Sequence, residues 1–212
     1  MRSFVFTLGF HEDYILRRLR EKAAQPGEPI TIFTAEPVVS GVSRAYESLA
    51  SFCSSLGLDR PRLVPLNMAA PAYSLTQARS VIQRLPRPIV VDLGGGFRSL
   101  VLLVFVALLT GCEDFELHVS VETGEEHGLY MPRGVVRALK RLSPEKREIL
   151  AYIGRSPGIT AELLARRLGR SVKTVRNHLT ELKAMGLIAA RGRGAPLKLT
   201  EWGEALAAAE DR

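Results

Sequence analysis

The sequence has little cysteine and no long apolar run. Its two cysteines, Cys53 and Cys112, stand far apart and outside any CxxC pattern, which excludes a disulfide framework and a cysteine-based zinc site. The histidines have no ligand-like spacing, so we expect no metal. The longest apolar run, Leu100–Leu109, is well short of the roughly 20 residues of a membrane helix, and the amino terminus is too strand-like for a signal peptide. We therefore expect a soluble, cytoplasmic protein with no membrane partner.

The amino-terminal part of the chain also lacks an excess of basic charge. Residues 1–132 carry 12 Lys and Arg against 14 Asp and Glu, a net charge of −2. Residues 133–212 carry 17 against 8, a net charge of +9. The overall net charge of +7 therefore belongs to the carboxy-terminal third. This asymmetry indicates a polyanionic partner for that third, and nucleic acid is the first candidate.

Two common nucleotide-binding motifs are missing. A dinucleotide site needs GxGxxG directly after the first strand, but the first turn, TLGFHEDY, has a single glycine. Glu36 follows the second apolar run, and by itself it indicates little. The sequence contains no GxxxxGK followed by Ser or Thr, which excludes a P-loop. NAD and ATP in their usual binding modes are therefore disfavoured.

Short apolar runs alternate with helical patterns through the first domain, residues 1–131. The runs are SFVFTLGF (3–10), PITIFTA (29–35), RLVPLN (62–67), PIVVDL (88–93) and FELHVSVE (115–122). A helical pattern follows each of the first four; Ser43 is predicted to cap the second helix and Gly57 to end it. This alternation predicts an α/β fold, a parallel sheet with helices on both faces.

A glycine cluster follows the fourth run, in the segment VVDLGGGFRS (90–99). Glycines there let the backbone approach a ligand and direct successive N–H groups towards it, while Arg98 adds a forked cationic donor. The carboxyl end of a parallel strand is also where open α/β sheets bind ligands. The segment therefore predicts a phosphate site. The alternative is a tight strand-to-helix turn whose arginine forms a salt bridge.

At about residue 132 the sequence changes character. We assign residues 132–142 to a linker with a short connecting helix, and 143–212 to a second domain. Ser143, Thr160 and Ser171 are predicted to cap three successive helices. Leu163, Leu164 and Leu168 are expected to point inward on the second of them, Val172, Val175, Leu179 and Leu182 on the third, and Trp202 to pack in the core.

The third helix carries polar and cationic groups opposite its apolar stripe, as a helix in a major groove requires. A glycine-rich basic hairpin follows, suited to the DNA backbone or minor groove. The candidate DNA-binding residues are Ser171, Lys173, Thr174, Arg176, Asn177, Thr180, Arg191, Arg193 and Lys198. Residues 143–200 resemble the winged helix-turn-helix domain of archaeal and bacterial transcription regulators. The alternative is a winged helix that docks a protein.

MRSFVFTLGF, TAEPVVSGVSRAYESL and DLGGGFRS, joined to a winged helix, resemble the CARF (CRISPR-associated Rossmann fold) winged-helix transcription regulators of archaeal CRISPR–Cas systems, of the Csa type. The resemblance implies a Rossmann-like domain that forms a homodimer and binds a cyclic oligoadenylate, cyclic tetra-adenylate above all, on its two-fold axis. That ligand is an effector; no cofactor is implied. The ligand residues carried over are Leu8, Gly9, Phe10, Thr34, Ser40, Gly41, Gly94, Gly95, Gly96, Phe97, Arg98 and Ser99.

The resemblance implies a regulator of a CRISPR/cas promoter on double-stranded DNA. Leu100–Leu109 reads as a helix buried on every side, either at the dimer interface, which we favour, or beneath the linker and winged helix. Cleavage of the ligand is not expected, because the glycine turn has no histidine and the first domain's one lysine, Lys22, lies away from it. The alternatives are a ring nuclease that degrades cyclic oligoadenylate and a regulator that senses a metabolite or nucleotide outside CRISPR.

Overall fold

The computed structural model describes residues 1–112, 114–120, 128–190, 192 and 194–207. The chain divides into two compact units, Met1–Met131 and Pro132–Arg212. Each unit has its own hydrophobic core, as expected of a chain that joins two domains.

The first unit is built on a six-stranded sheet in the order β3-β2-β1-β4-β5-β6. Its strands are β1 (Ser3–Thr7), β2 (Ile30–Ala35), β3 (Arg62–Leu66), β4 (Ile89–Asp92), β5 (Phe115–Val119) and β6 (Leu129–Met131). The first five are parallel, and this is the doubly wound Rossmann order. The predicted α/β class is thereby confirmed.

Strand β6 was not predicted, and it pairs antiparallel with β5 at the edge of the sheet. It is three residues long and mostly exposed, so no apolar run marks it in the sequence. Side chains hold it in place: the ring of Tyr130 stacks on His118 with centroids 4.6 Å apart, and His118 Nε2 lies 3.1 Å from Glu116. The hydrogen bond with His118, and then the ion pair with Lys22, lower the pKa of Glu116 to about 2 despite its partial burial.

Among the described residues of this unit, four helices flank the sheet: α1 (Asp13–Glu21), α2 (Ser40–Ser55), α3 (Pro71–Gln83) and α4 (Arg98–Gly111). Helix α2 begins at Ser40, three residues before the predicted cap at Ser43. The earlier start brings Val42 into the buried stripe that continues through Ala45 and Leu49. Tertiary packing therefore sets this boundary, and the capping preference of Ser43 does not.

Helix α4 is not buried on every side. Leu100, Leu103, Val104, Ala107 and Leu108 are buried, but Leu102 is 62% exposed and Val106 is 41% exposed. These two lie four residues apart on one helix face. An apolar stripe therefore remains on the surface of the single chain, and the expected burial of this helix at a dimer interface stays a prediction.

The second unit has the helix order and hairpin of a winged helix. Its elements are α5 (Arg133–Arg141), α6 (Pro144–Arg155), α7 (Ala161–Arg167), α8 (Val172–Ala184), β7 (Ile188–Ala189), β8 (Lys198–Leu199) and α9 (Glu201–Ala207). The two strands pair antiparallel. The side chains of Ser143, Thr160 and Ser171 accept hydrogen bonds from backbone N–H groups three residues on, so all three predicted caps are confirmed.

Two expectations about the second unit need correction. The segment assigned to a linker contains α5, whose Val135 and Ala138 belong to the core of this unit, because the helix is amphipathic and has a surface to pack against. A Cβ on Gly134 would clash with the Met185 carbonyl, which shows how closely α5 approaches the end of α8. Leu163 is 45% exposed, since Leu164, one position on, takes the inward direction of α7.

Candidate functional site

The carboxyl ends of β1, β2 and β4 meet at one cavity of about 340 Å³. The turns after these strands bring together eight of the predicted ligand residues: Leu8, Gly9, Phe10, Thr34, Gly94, Gly95, Gly96 and Phe97. Segments far apart in the sequence thus form one site, as expected for a doubly wound sheet.

Four predicted ligand residues lie outside this lining: Ser40, Gly41, Arg98 and Ser99. Ser40 and Gly41 open α2, and Gly41 lines a neighbouring groove together with Phe10, His11 and Arg44. Arg98 and Ser99 begin α4 directly after Phe97. They therefore stand at the margin of the cavity.

The glycine turn is required by packing as well as by any ligand. A Cβ on Gly95 would lie 2.5 Å from the Tyr14 hydroxyl, and one on Gly94 would lie 2.9 Å from the same ring. Gly96 has φ +88°, which side chains rarely adopt. A Cβ on Gly9 would lie 2.8 Å from the Gly96 nitrogen, so the first and fourth turns touch backbone to backbone.

Tyr14 on α1 packs against the turn, and the sequence assigned it no role at the site. Its hydroxyl donates a hydrogen bond to the carbonyl of Thr7 at the end of β1. Burial, and then the charge of Asp92, raise the pKa of Tyr14 well above its ordinary value. The phenol therefore stays protonated at neutral pH and acts as a structural donor.

A buried ion pair fixes the strand that leads into the glycines. Asp92 ends β4 and is fully buried; Arg18 Nε donates to its Oδ2 at 3.0 Å. The Ser120 hydroxyl donates to the same oxygen at 2.7 Å, and the Ser120 N–H donates to Oδ1 at 3.1 Å. Three hydrogen bonds thereby hold the start of the turn against α1 and the end of β5, because a buried carboxylate requires its partners.

Arg98 is exposed at the first position of α4. Within the described ranges it has no hydrogen bond and no ion pair, so the salt bridge of the alternative interpretation is not formed there. Phe97 provides the helix with no side-chain cap. The first N–H groups of α4, its dipole and the Arg98 guanidinium are therefore available together for an anion.

Most of the cavity wall is apolar, and its polar side chains are few. The Thr34 hydroxyl donates to the Leu8 carbonyl at 3.1 Å, so only its acceptor capacity remains. His11 and Glu36 also line the cavity, and neither was predicted as a site residue. Their positions just after β1 and β2 were the available signal, because strand ends converge in this fold.

Several of the predicted DNA-binding residues on α8 already form hydrogen bonds or an ion pair within the chain. Ser171 caps the helix, and its hydroxyl lies 2.8 Å from that of Thr174. The Thr180 hydroxyl donates to the backbone carbonyl of Arg176 at 2.9 Å. Arg176 is paired with Glu162 on α7 at 2.6 Å. A hydrogen bond with its own backbone, and then the hydrogen bond with Arg176, lower the pKa of Glu162.

Three other predicted DNA contacts, Lys173, Asn177 and Lys198, are exposed. Over the part of the chain that the structure covers, none of them has a side-chain hydrogen bond or ion pair. Arg191 and Arg193 lie outside the described residues. The cationic face of α8 therefore consists of one paired arginine and one unpaired lysine in its first turns.

Two negative observations apply to the described residues. No three His, Cys, Asp or Glu side chains are grouped as a metal site would need among them. No helix in the described ranges has both the length and the apolar character to cross a bilayer.

Sequence comparison identifies relatives of the whole chain. Residues 2–130 match the model of the Csa3 CRISPR-associated Rossmann-like domain, and residues 141–205 match a second model, HVO_A0114. Over 204 residues the chain is 31% identical to Csa3 of Saccharolobus solfataricus, whose name describes it as CRISPR locus-related and DNA-binding. The alignment covers 96% of this chain and 86% of that protein.

Two solved structures are more distant. The MarR family protein Rv2887 of Mycobacterium tuberculosis is 28% identical over 36% of this chain and 58% of its own length, with a TM-score of 0.31. Can2 of Sulfobacillus thermosulfidooxidans, solved with cyclic tetra-adenylate, is 11% identical over 98% of this chain and 64% of its own, with a TM-score of 0.42. Neither likeness is close enough to support a conclusion about this chain.

A Rossmann-like domain with a glycine turn, joined to a winged helix, defines the class of CRISPR-associated regulators. Within that class, the chain belongs to the Csa3 family. The resemblance to Csa-type CARF regulators drawn from the sequence is thereby confirmed.

Proposed function

We propose that this protein is a ligand-gated transcription regulator whose first domain binds a cyclic oligoadenylate, cyclic tetra-adenylate first, and whose winged helix binds a CRISPR/cas promoter. The observation that supports this most is Arg98 at the start of α4, which pairs with no described residue and stands beside three glycines and a largely apolar cavity. Arginine and helix N–H groups suit phosphates, and an apolar cavity suits a nucleobase. A nucleotide ligand needs both.

The active form is a homodimer that contacts through α4. Leu102 and Val106 form an exposed apolar stripe on the same helix whose first residue is Arg98. An isologous dimer along this stripe brings two glycine turns to one two-fold axis. A cyclic ligand with repeated phosphates matches two such sets of donors.

The carboxy-terminal domain binds double-stranded DNA through α8 and the wing. The net charge of +9 over residues 133–212 and the unpaired Lys173, Asn177 and Lys198 support this role, as does the DNA-binding name of the Saccharolobus relative. Lysines contribute phosphate contacts, and Asn177 is suited to an adenine edge. A dimer reads two half-sites of a palindrome.

Slow cleavage of the ligand is the second candidate activity, because His11 lines the cavity. A neutral histidine can accept the proton of a ribose 2′-hydroxyl, which arginine cannot do. Incubation of cyclic tetra-adenylate with the protein, followed by chromatography, tests this. Linear adenylates formed at multiple turnover, and lost in His11→Ala, would identify a ring nuclease; an intact ligand would leave a binding protein.

Calorimetric titration of cyclic tetra-adenylate tests the main proposal. We expect one ligand per two chains in the wild type, and a loss of affinity of about 100-fold or more in Arg98→Ala, because each dimer loses two charge-assisted contacts. Arg84→Ala is the matched control: Arg84 is exposed at the end of α3 and pairs with no described residue. NAD and ATP serve as ligand controls. No binding by the wild type would refute the proposed ligand.

A further inference from the structure

Glu36 lies in the wall of the proposed ligand cavity, and its carboxylate pairs with no residue that the structure describes. It directly follows β2, where its backbone N–H donates to the Leu66 carbonyl at 2.9 Å. Its side chain is exposed and, in the described part of the chain, has no hydrogen bond or ion pair. The backbone is therefore fixed while the carboxylate is free to meet a ligand.

A free carboxylate is unfavourable in a site that holds phosphates alone, since like charges repel. The order of the strands places the carboxylate of Glu36 and the glycine turn apart in space. Strand β1 lies between β2 and β4, so Glu36 lies about 10 Å, two strand spacings, from the glycine turn. A single phosphate does not span that distance. A nucleotide does, with its phosphate at the turn and its nucleoside towards β2.

The wall between these two ends is suited to a base. Leu8, Val42 and Leu100 are buried apolar side chains that line the cavity. Phe10 and Phe97 stand at its rim with 58% and 64% of their surface exposed, so their rings are accessible for stacking. The Thr34 hydroxyl already donates its proton to the Leu8 carbonyl, so it offers a ligand no donor. The carboxylate of Glu36 is a strong hydrogen-bond acceptor at the same end of the cavity.

We propose that Glu36 determines specificity for the nucleoside part of the ligand by accepting a hydrogen bond from a neutral donor, the base amino group or a ribose hydroxyl. This inference rests on the proposed function and deepens it, since it assigns the recognition of adenosine to the β2 end and that of phosphate to Arg98. It also predicts whether a substitution of Glu36 strengthens or weakens ligand binding. Removal of a negative charge would strengthen the binding of a polyanion by simple electrostatics, whereas loss of this hydrogen bond weakens it.

The test is calorimetric titration of cyclic tetra-adenylate into wild type, Glu36→Gln and Asp59→Asn. We expect Glu36→Gln to bind about tenfold more weakly, because a neutral amide is a weaker acceptor than a carboxylate. Asp59→Asn is the matched control and should bind like the wild type: Asp59 is exposed before β3, at the opposite end of the sheet, and pairs with no described residue. Thermal unfolding of each variant checks that all are folded.

Two ligand analogues identify the donor. Cyclic tetra-inosinate lacks the base amino group, and 2′-deoxy cyclic tetra-adenylate lacks the ribose hydroxyl. The analogue that lacks the partner of Glu36 should bind the wild type about tenfold more weakly and show no further loss in Glu36→Gln. If, for both analogues, the loss of affinity caused by the analogue and the loss caused by Glu36→Gln simply add, the inference is overturned.

The remaining outcomes separate the inference from the proposed function. Equal or tighter binding of cyclic tetra-adenylate by Glu36→Gln, with binding by the wild type intact, overturns the role of Glu36 and leaves the proposed function standing. Absence of binding by the wild type overturns the proposed function and this inference with it.

Discussion

Single residues at the glycine turn combine two roles. The glycines belong to the proposed ligand site, and they also allow the Tyr14 ring to pack beneath the turn and the first turn to touch the fourth. Arg98 has no such structural role in the described chain, since it is exposed and unpaired. Substitutions of the glycines therefore report on stability, and those of Arg98 report on binding.

Gly95→Ala should lower the free energy of unfolding by about 1–3 kcal/mol, because the new methyl group clashes with the buried Tyr14 hydroxyl. Gly41→Ala is the contrasting variant. Its Cβ would meet only the exposed Phe10 ring, which can move, so we expect a change within about 0.5 kcal/mol. Urea unfolding of both variants measures the difference, and equal stabilities would contradict the packing argument.

Elements rather than single residues set the surfaces available for assembly. Helix α4 packs one side on the first unit and leaves Leu102 and Val106 exposed, while its first residue is Arg98. Helix α5, by contrast, buries apolar side chains in the core of the second unit, although its segment was expected to be a linker. Helix α5 therefore belongs to the second domain.

Leu102→Glu should convert the proposed dimer into a monomer, because a charge would be placed in an apolar interface. Leu56→Glu, at the exposed end of α2, is the matched control and should keep the oligomeric state of the wild type. Sedimentation velocity distinguishes the two states. A dimer that survives Leu102→Glu would remove α4 from the interface.

At the scale of the whole molecule, the proposed function assigns a different role to each domain. The first has a net charge of −2 and a cavity at the carboxyl ends of its strands, whereas the remaining residues carry +9 and an exposed polar helix face. Regulation requires that the two be coupled. A ligand shifts DNA affinity only through a difference in its affinity for two dimer states.

Saturating cyclic tetra-adenylate should change the Kd for a CRISPR/cas promoter fragment by roughly 5-fold to 150-fold, the usual range of such coupling. By thermodynamic linkage, saturating DNA must change the ligand Kd by the same factor. Fluorescence anisotropy and calorimetry measure the two sides of this cycle, with NAD as the inactive ligand. Identical DNA affinity with and without cyclic tetra-adenylate would refute gating.

The sequence by itself determined what depends on local pattern. Alternating runs and helical periods specified the parallel sheet, and the caps at Ser143, Thr160 and Ser171 specified three helices of the winged helix. The glycine turn was also visible, since glycines after an apolar run are a local signal. Each individual strand, helix, cap and turn among these features is encoded in consecutive residues and needs no knowledge of distant contacts.

Only the tertiary structure decided what depends on distant segments. It placed Glu36 and His11 at the same cavity as the glycines, paired Arg176 with Glu162, and brought α5 into the second core. Burial of Val42 moved the start of α2, and packing against β5 made β6 a strand. These outcomes follow from side chains that meet across the fold, where a residue's neighbours in space are not its neighbours in sequence.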